Sequence, residues 1–84
     1  MKIGSAIKHI RLQSGYKQGE LSKSLGISQK HLSLIESDKV DLSFRLLRRI
    51  AKELDVAEEV IFWKAIKMSN IIVDKHHFNE KYLA

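Results

Sequence analysis

Residues 17–36 read Lys17-Gln18-Gly19-Glu20-Leu21-Ser22-Lys23-Ser24-Leu25-Gly26-Ile27-Ser28-Gln29-Lys30-His31-Leu32-Ser33-Leu34-Ile35-Glu36. Leu21 and Leu25 stand four apart, and Leu32 and Ile35 three apart. That spacing puts one buried stripe on each of two short helices. Between the stripes lies Leu25-Gly26-Ile27-Ser28. Glycine can take the left-handed conformation that closes a helix, and a serine just ahead of a periodic run is a favoured N-cap. The small Ser22, one turn before Gly26, lets the two axes approach closely, and Ile27 packs between them. With Leu21, Leu25, Ile27, Leu32 and Ile35 turned inward, Gln29, Lys30, Ser33 and Leu34 are left on the outer face of the second helix. A helix presented this way can enter a DNA major groove, about 12 Å wide, with its N-terminal residues at the base edges. There glutamine can bond bidentately to adenine, lysine can donate to guanine, and leucine can touch a thymine methyl.

Working outward, Ile3, Ala6, Ile7 and Ile10 form a helical stripe upstream, closed off by Ser14-Gly15. Downstream, Phe44, Leu47, Ile50, Ala51 and Leu54 form the longest stripe, with Ser43 placed as its N-cap. Asp55 and Glu58 have the spacing of a capping box, which starts a fifth helix near Ala57. No segment alternates as a half-buried strand would. The expectation is an all-α fold of five helices joined by short links, without repeats or a domain linker. At 84 residues the chain makes one domain, near the small end of what can bury a core unaided. Val60-Ile61-Phe62-Trp63, followed by Ile66, is apolar around too much of its helix for a single core face. Such a helix must be covered by something. Either Ile71, Ile72, Val73 and Phe78 fold back over it, or a second copy of the chain covers it as a two-fold dimer interface. The dimer is the favoured reading.

Composition narrows the classes further. The chain is 44% hydrophobic and 30% charged, which is ordinary for a globular domain. Without cysteine there is no disulfide framework and no thiolate metal site. No apolar run approaches a membrane span and nothing at the start reads as a signal peptide, so a soluble cytoplasmic protein is expected. His76-His77 with His9 lacks the pairing of a zinc site, and no nucleophile or carboxylate pair stands out as hydrolytic. No cofactor, metal or enzymatic activity is expected, and there is no room for a small-molecule domain. The formal charge is +5. Residues 1–56 hold 11 Lys/Arg against 6 Asp/Glu, and residues 57–84 hold 4 against 4. The whole excess sits in the first two thirds of the chain, for which a polyanion is the natural partner.

The ordered set Arg11, Gln18-x-x-Leu21-Ser22, Leu25-Gly26-Ile27-Ser28-Gln29, Leu32-Ser33-x-Ile35-Glu36 and Phe44-x-x-Leu47-x-x-Ile50-Ala51-x-x-Leu54 resembles the Cro/C1 (XRE-type) helix-turn-helix family of bacterial and phage repressors. The likeness covers about residues 3–66. It implies a five-helix, lambda-repressor-like DNA-binding domain over residues 1–68, with the helix-turn-helix at about 17–37 and a C-terminal extension at 69–84. It also implies a homodimeric transcriptional regulator, a repressor in most members, on a palindromic operator of double-stranded DNA. By the same resemblance Gln29, Lys30, Ser33 and Leu34 read bases. Gln18, Ser37, Lys39 and Arg45 meet the DNA backbone; His31, read from its own position and not from the resemblance, packs or touches a phosphate and does not bind metal. Arg11 and Glu36 form a buried salt bridge that orients the reading helix, and Val60, Ile61, Phe62, Trp63 and Ile66 form the dimer contact.

Three departures from the family pattern carry expectations of their own. Lys17 stands where a Ser or Thr usually caps the second helix, leaving that start to fray or rely on Gln18. Asp38 replaces a glycine after the reading helix, with its charge expected to face phosphates. Leu42 replaces a frequent proline. Two other uses of the same fold, the antitoxin of a toxin–antitoxin pair and a restriction–modification controller, fit the pattern as well.

Overall fold

A computed structural model describes residues 2–69. The five helices are α1 (Ile3–Gln13), α2 (Gln18–Leu25), α3 (Gln29–Glu36), α4 (Phe44–Glu53) and α5 (Glu58–Met68). There is no strand among the described residues. Ile71, Ile72, Val73, Phe78 and the His76-His77 pair lie outside them.

The first four helices end by one device. A residue just past each takes the left-handed conformation: Gly15 at φ 81°, Gly26 at 73°, Asp38 at 58° and Asp55 at 57°. The next N–H then reaches five residues back, Tyr16 to Arg11, Ile27 to Ser22, Lys39 to Leu34 and Val56 to Ala51, at 3.0–3.1 Å. This is the Schellman closure, which satisfies carbonyls the helix leaves open. Glycine adopts it freely, and aspartate tolerates it better than most residues. Asp55 therefore ends α4 and does not cap α5, contrary to what its spacing to Glu58 suggests. Ala57 holds the N-cap position of α5 without a side-chain bond, and Glu58 and Glu59 in the first turn complement the helix dipole instead.

The helix starts follow the sequence at two places and depart from it at two others. Ser28 Oγ accepts the His31 N–H at 3.0 Å, and Ser43 Oγ accepts the Leu46 N–H at 3.1 Å. At α2 the Glu20 carboxylate accepts the Lys17 N–H at 2.8 Å. The lysine ammonium has nothing to accept with, so this start rests on Glu20 and not on Gln18. Lys2 gives α1 no side-chain cap. Asp38 supplies one from beyond α3: its carboxylate accepts the Gly4 N–H at 2.8 Å, the Ser5 N–H at 3.3 Å and the Ser5 hydroxyl at 2.6 Å. The Asp38 charge is thus engaged by the start of α1 and does not face outward toward phosphates.

Ala6, Ile7 and Ile10 of α1 meet Leu21, Leu25, Leu32, Ile35, Leu47, Ile50, Ala51, Leu54, Ile61 and Ala65 in one core. α1 packs along α5 and against α3, while α2 packs on α3 and α4. The α1–α3 approach is unusually close. A Cβ on Gly4 would lie 1.8 Å from the Ile35 carbonyl oxygen. Only glycine fits there.

Two apolar expectations are corrected by the packing. Phe44 is 63% exposed. As the first residue of α4 it overhangs the end of the core, where Leu42 and Leu46 pack instead. Ile61 is wholly buried and Phe62 packs partly against the core, so Ile61 cannot touch a partner. What remains outside on α5 is Val60, 46% exposed, and Trp63, 57% exposed, with Ile66 half-buried.

Candidate nucleic-acid interface

The turn geometry fixes where α3 sits. Leu21 and Leu25 of α2 and Leu32 and Ile35 of α3 are buried together, and Ser22 is buried between them at 4% exposure. The Ser22 hydroxyl is satisfied by the Gly19 carbonyl at 3.0 Å. Ile27 is half-buried against the same core. Arg49, from α4, donates to the Leu25 carbonyl at the end of α2, which ties the turn to the rest of the domain.

Behind α3 a chain of charged and polar groups runs from the core to its solvent face. Arg11 Nε–H donates to Glu36 Oε2 at 2.7 Å, and a second guanidinium nitrogen donates to Oε1 at 3.0 Å. The third guanidinium nitrogen donates to the Tyr16 carbonyl at 2.8 Å. Both side chains are almost wholly buried, at 6% and 1% exposure. Gln18 Nε2–H then donates to Glu36 Oε1 at 3.0 Å. Because a carboxylate only accepts, the Gln18 amide must present its NH2 group to Glu36 and its oxygen to the other side. That oxygen accepts from Gln29 Nε2–H at 3.4 Å. Gln29 is left with one N–H and its carbonyl oxygen free, the donor and acceptor pair that an adenine edge requires.

Gln29, Lys30 and His31 are exposed in the first turn of α3, and Ser33 and Leu34 are half-buried further along. Ser37, Lys39 and Arg45 are exposed beyond it, with the Ser37 hydroxyl donating back to the Ser33 carbonyl at 2.8 Å. Gln18 and Gln29 are brought together at the N-termini of their helices, whereas Lys39 and Arg45 flank the loop that leads to α4.

Four contributors were not anticipated from the sequence: Gly4, Asp38 as a cap of α1, Glu20 at the start of α2, and Arg49 at its end. Only Glu20 had a local signal, three residues after Lys17.

A pair of short helices braced in this way defines the helix-turn-helix class. The family model described as Helix-turn-helix matches residues 7–61. The chain belongs to the helix-turn-helix family of Cro/C1 (XRE) type. Over 50 residues, 60% of this chain, it is 42% identical to the ImmF control region 10 kDa protein of Bacillus phage phi105. It spans 56% of that relative's length. The fold resembles the crystal structure of the clp gene regulator ClgR from Corynebacterium glutamicum, with a TM-score of 0.81 over 94% of this chain and 84% of that one. At 19% identity this likeness bears on the fold alone. No helix among the described residues is long and apolar enough to cross a membrane.

Proposed function

We propose that the protein is a sequence-specific transcription regulator, a repressor, which binds a palindromic operator as a homodimer with α3 in the major groove. The observation that carries this is the Arg11–Glu36–Gln18–Gln29 chain, which holds a base-reading amide at the start of an otherwise solvent-facing helix. The ion pair acts here to orient α3, because desolvation offsets much of its attraction as a stability term. Gln29, Lys30 and Ser33 read base edges, and Leu34 lies against a thymine methyl. Gln18, His31, Ser37, Lys39 and Arg45 hold the backbone. Gln18 uses its remaining N–H for a phosphate, since its oxygen and other hydrogen are taken. The phage phi105 relative is named for a control region, which agrees with this reading.

Salt dependence tests the DNA reading on any duplex, whatever the operator. With about six to ten phosphate contacts per dimer, log affinity for duplex DNA should fall against log salt at about 0.9 per contact. Lys39→Ala should reduce that slope by about one per protomer while weakening all sequences alike. Affinity that ignored salt would remove the proposal.

The dimer rests on Val60 and Trp63, both exposed and one turn apart on α5. An exposed tryptophan of this kind is a typical interface anchor. Trp63→Glu should shift the chain to monomer in sedimentation equilibrium while leaving its circular dichroism intact. An unchanged mass distribution would place the dimer contact elsewhere or remove it.

A further inference from the structure

α4 carries Arg45, Arg48, Arg49 and Lys52, all exposed, on the face opposite its buried Leu47, Ile50 and Ala51. These side chains line a shallow groove with Phe44 at one end and Glu58 of α5 at the other. Four cations there face one carboxylate. The Arg48–Glu58 contact is 3.7 Å long with side-chain exposures of 66% and 35%, so it neutralises little. Phe44, 63% exposed, adds an apolar face that the core does not use.

Apart from Arg45, which the proposed function gives to the DNA backbone, the groove's location separates it from the DNA-facing side. The N-termini of α2 and α3, joined through Gln18 and Gln29, mark the side turned to DNA. Arg49 instead reaches Leu25, at the opposite end of α2 and about 10 Å further along that helix. Arg48 reaches Glu58, the first residue of α5. Beyond Arg45, then, the ridge runs off toward the back of the domain.

We propose that this groove docks an acidic segment of another protein, one carrying an aromatic or branched aliphatic side chain that covers Phe44. Charge complementarity selects this occupant. A second copy related by a two-fold axis through the groove would set four cations against four. Residues 70–84 offer Asp74 and Glu80 but also Lys75 and Lys81, hence no net charge to match. A bare phosphate backbone would supply the anions and leave Phe44 unused. The inference rests on the proposed function only for which side faces DNA.

Panning random dodecapeptides against the 84-residue chain tests it. The expected enrichment is for several Asp or Glu residues around an aromatic or leucine. A synthetic copy of the most enriched peptide should bind about tenfold more weakly to Arg48→Glu/Lys52→Glu. It should also weaken with Phe44→Ser and stay bound when duplex DNA is added. Both variants change exposed side chains, and unchanged thermal melts establish that they fold. Enrichment without acidic bias, or binding indifferent to the charge reversal, overturns the proposal. So does displacement of the peptide by DNA together with a shallower salt slope in Arg48→Glu/Lys52→Glu, which would make the ridge a phosphate surface. That last outcome leaves the DNA-binding reading standing, whereas wild-type chain that binds the peptide but not DNA would remove that reading alone.

Discussion

Gly4→Ala is expected to destabilise the domain by about 3 kcal/mol or more, at the upper end of overpacking penalties. The added methyl would sit 1.8 Å from the Ile35 carbonyl oxygen and 2.8 Å from Asp38 Oδ1. The first obstacle is main chain in the last turn of α3, so no rotamer change relieves it. α1 must move away from α3, which also pulls the Gly4 and Ser5 N–H groups from the Asp38 carboxylate. The usual helix preference for alanine over glycine, about 1 kcal/mol, is far too small to compensate. Urea denaturation measures the loss. A variant as stable as the wild type would show that α1 and α3 do not approach this closely. Ser5→Ala provides a graded comparison, since it removes one hydroxyl bond and leaves the backbone contact in place.

The second large effect is expected at Glu36. Glu36→Ala strips the partner from a guanidinium whose side chain is 6% exposed, leaving an uncompensated buried charge. Such losses are about 3–5 kcal/mol. Arg11→Met/Glu36→Leu should recover most of this stability, since apolar replacement of a buried pair is often neutral or better. It should not recover DNA selectivity. Without the carboxylate, Gln18 loses the acceptor that fixes its amide, and Gln29 loses the partner that aims its own. Chemical denaturation and DNA affinity therefore move apart in the double variant. If affinity and selectivity returned together with stability, the pair would have no orienting role.

Much of the helix-turn-helix was legible because its determinants are local. Gly26 and Ser28 set the turn and the cap within three residues of each other, and the Leu21–Leu25 and Leu32–Ile35 spacings select the buried faces. The Arg11–Glu36 pair, 25 residues apart, came through resemblance, since no local pattern couples two such positions. The failures share one cause. Phe44 and Ile61 continue apolar patterns, but packing leaves the first exposed and buries the second completely. Asp55 has capping-box spacing, but the preceding helix needed a left-handed residue first. The family pattern marks Asp38 only as a replaced glycine, whereas its carboxylate serves the start of α1, 34 residues away. Gly4 lies in a helix start that looks ordinary until α3 is laid against it. Pattern fixes which face is buried; what a face meets depends on tertiary packing.

The proposed reading of bases by α3 through Gln29, in two copies of the chain, is the claim on which the other assignments depend. Selection from a randomised DNA pool, run in parallel with wild-type and Gln29→Ala chains, tests it most directly. The wild type should enrich an inverted repeat with half-site centres about 10–10.5 base pairs apart. Gln29→Ala should keep that spacing while losing preference at one or two positions in each half-site, at about 1–3 kcal/mol per half-site. An identical consensus from both chains, or no enrichment from either, would contradict the account.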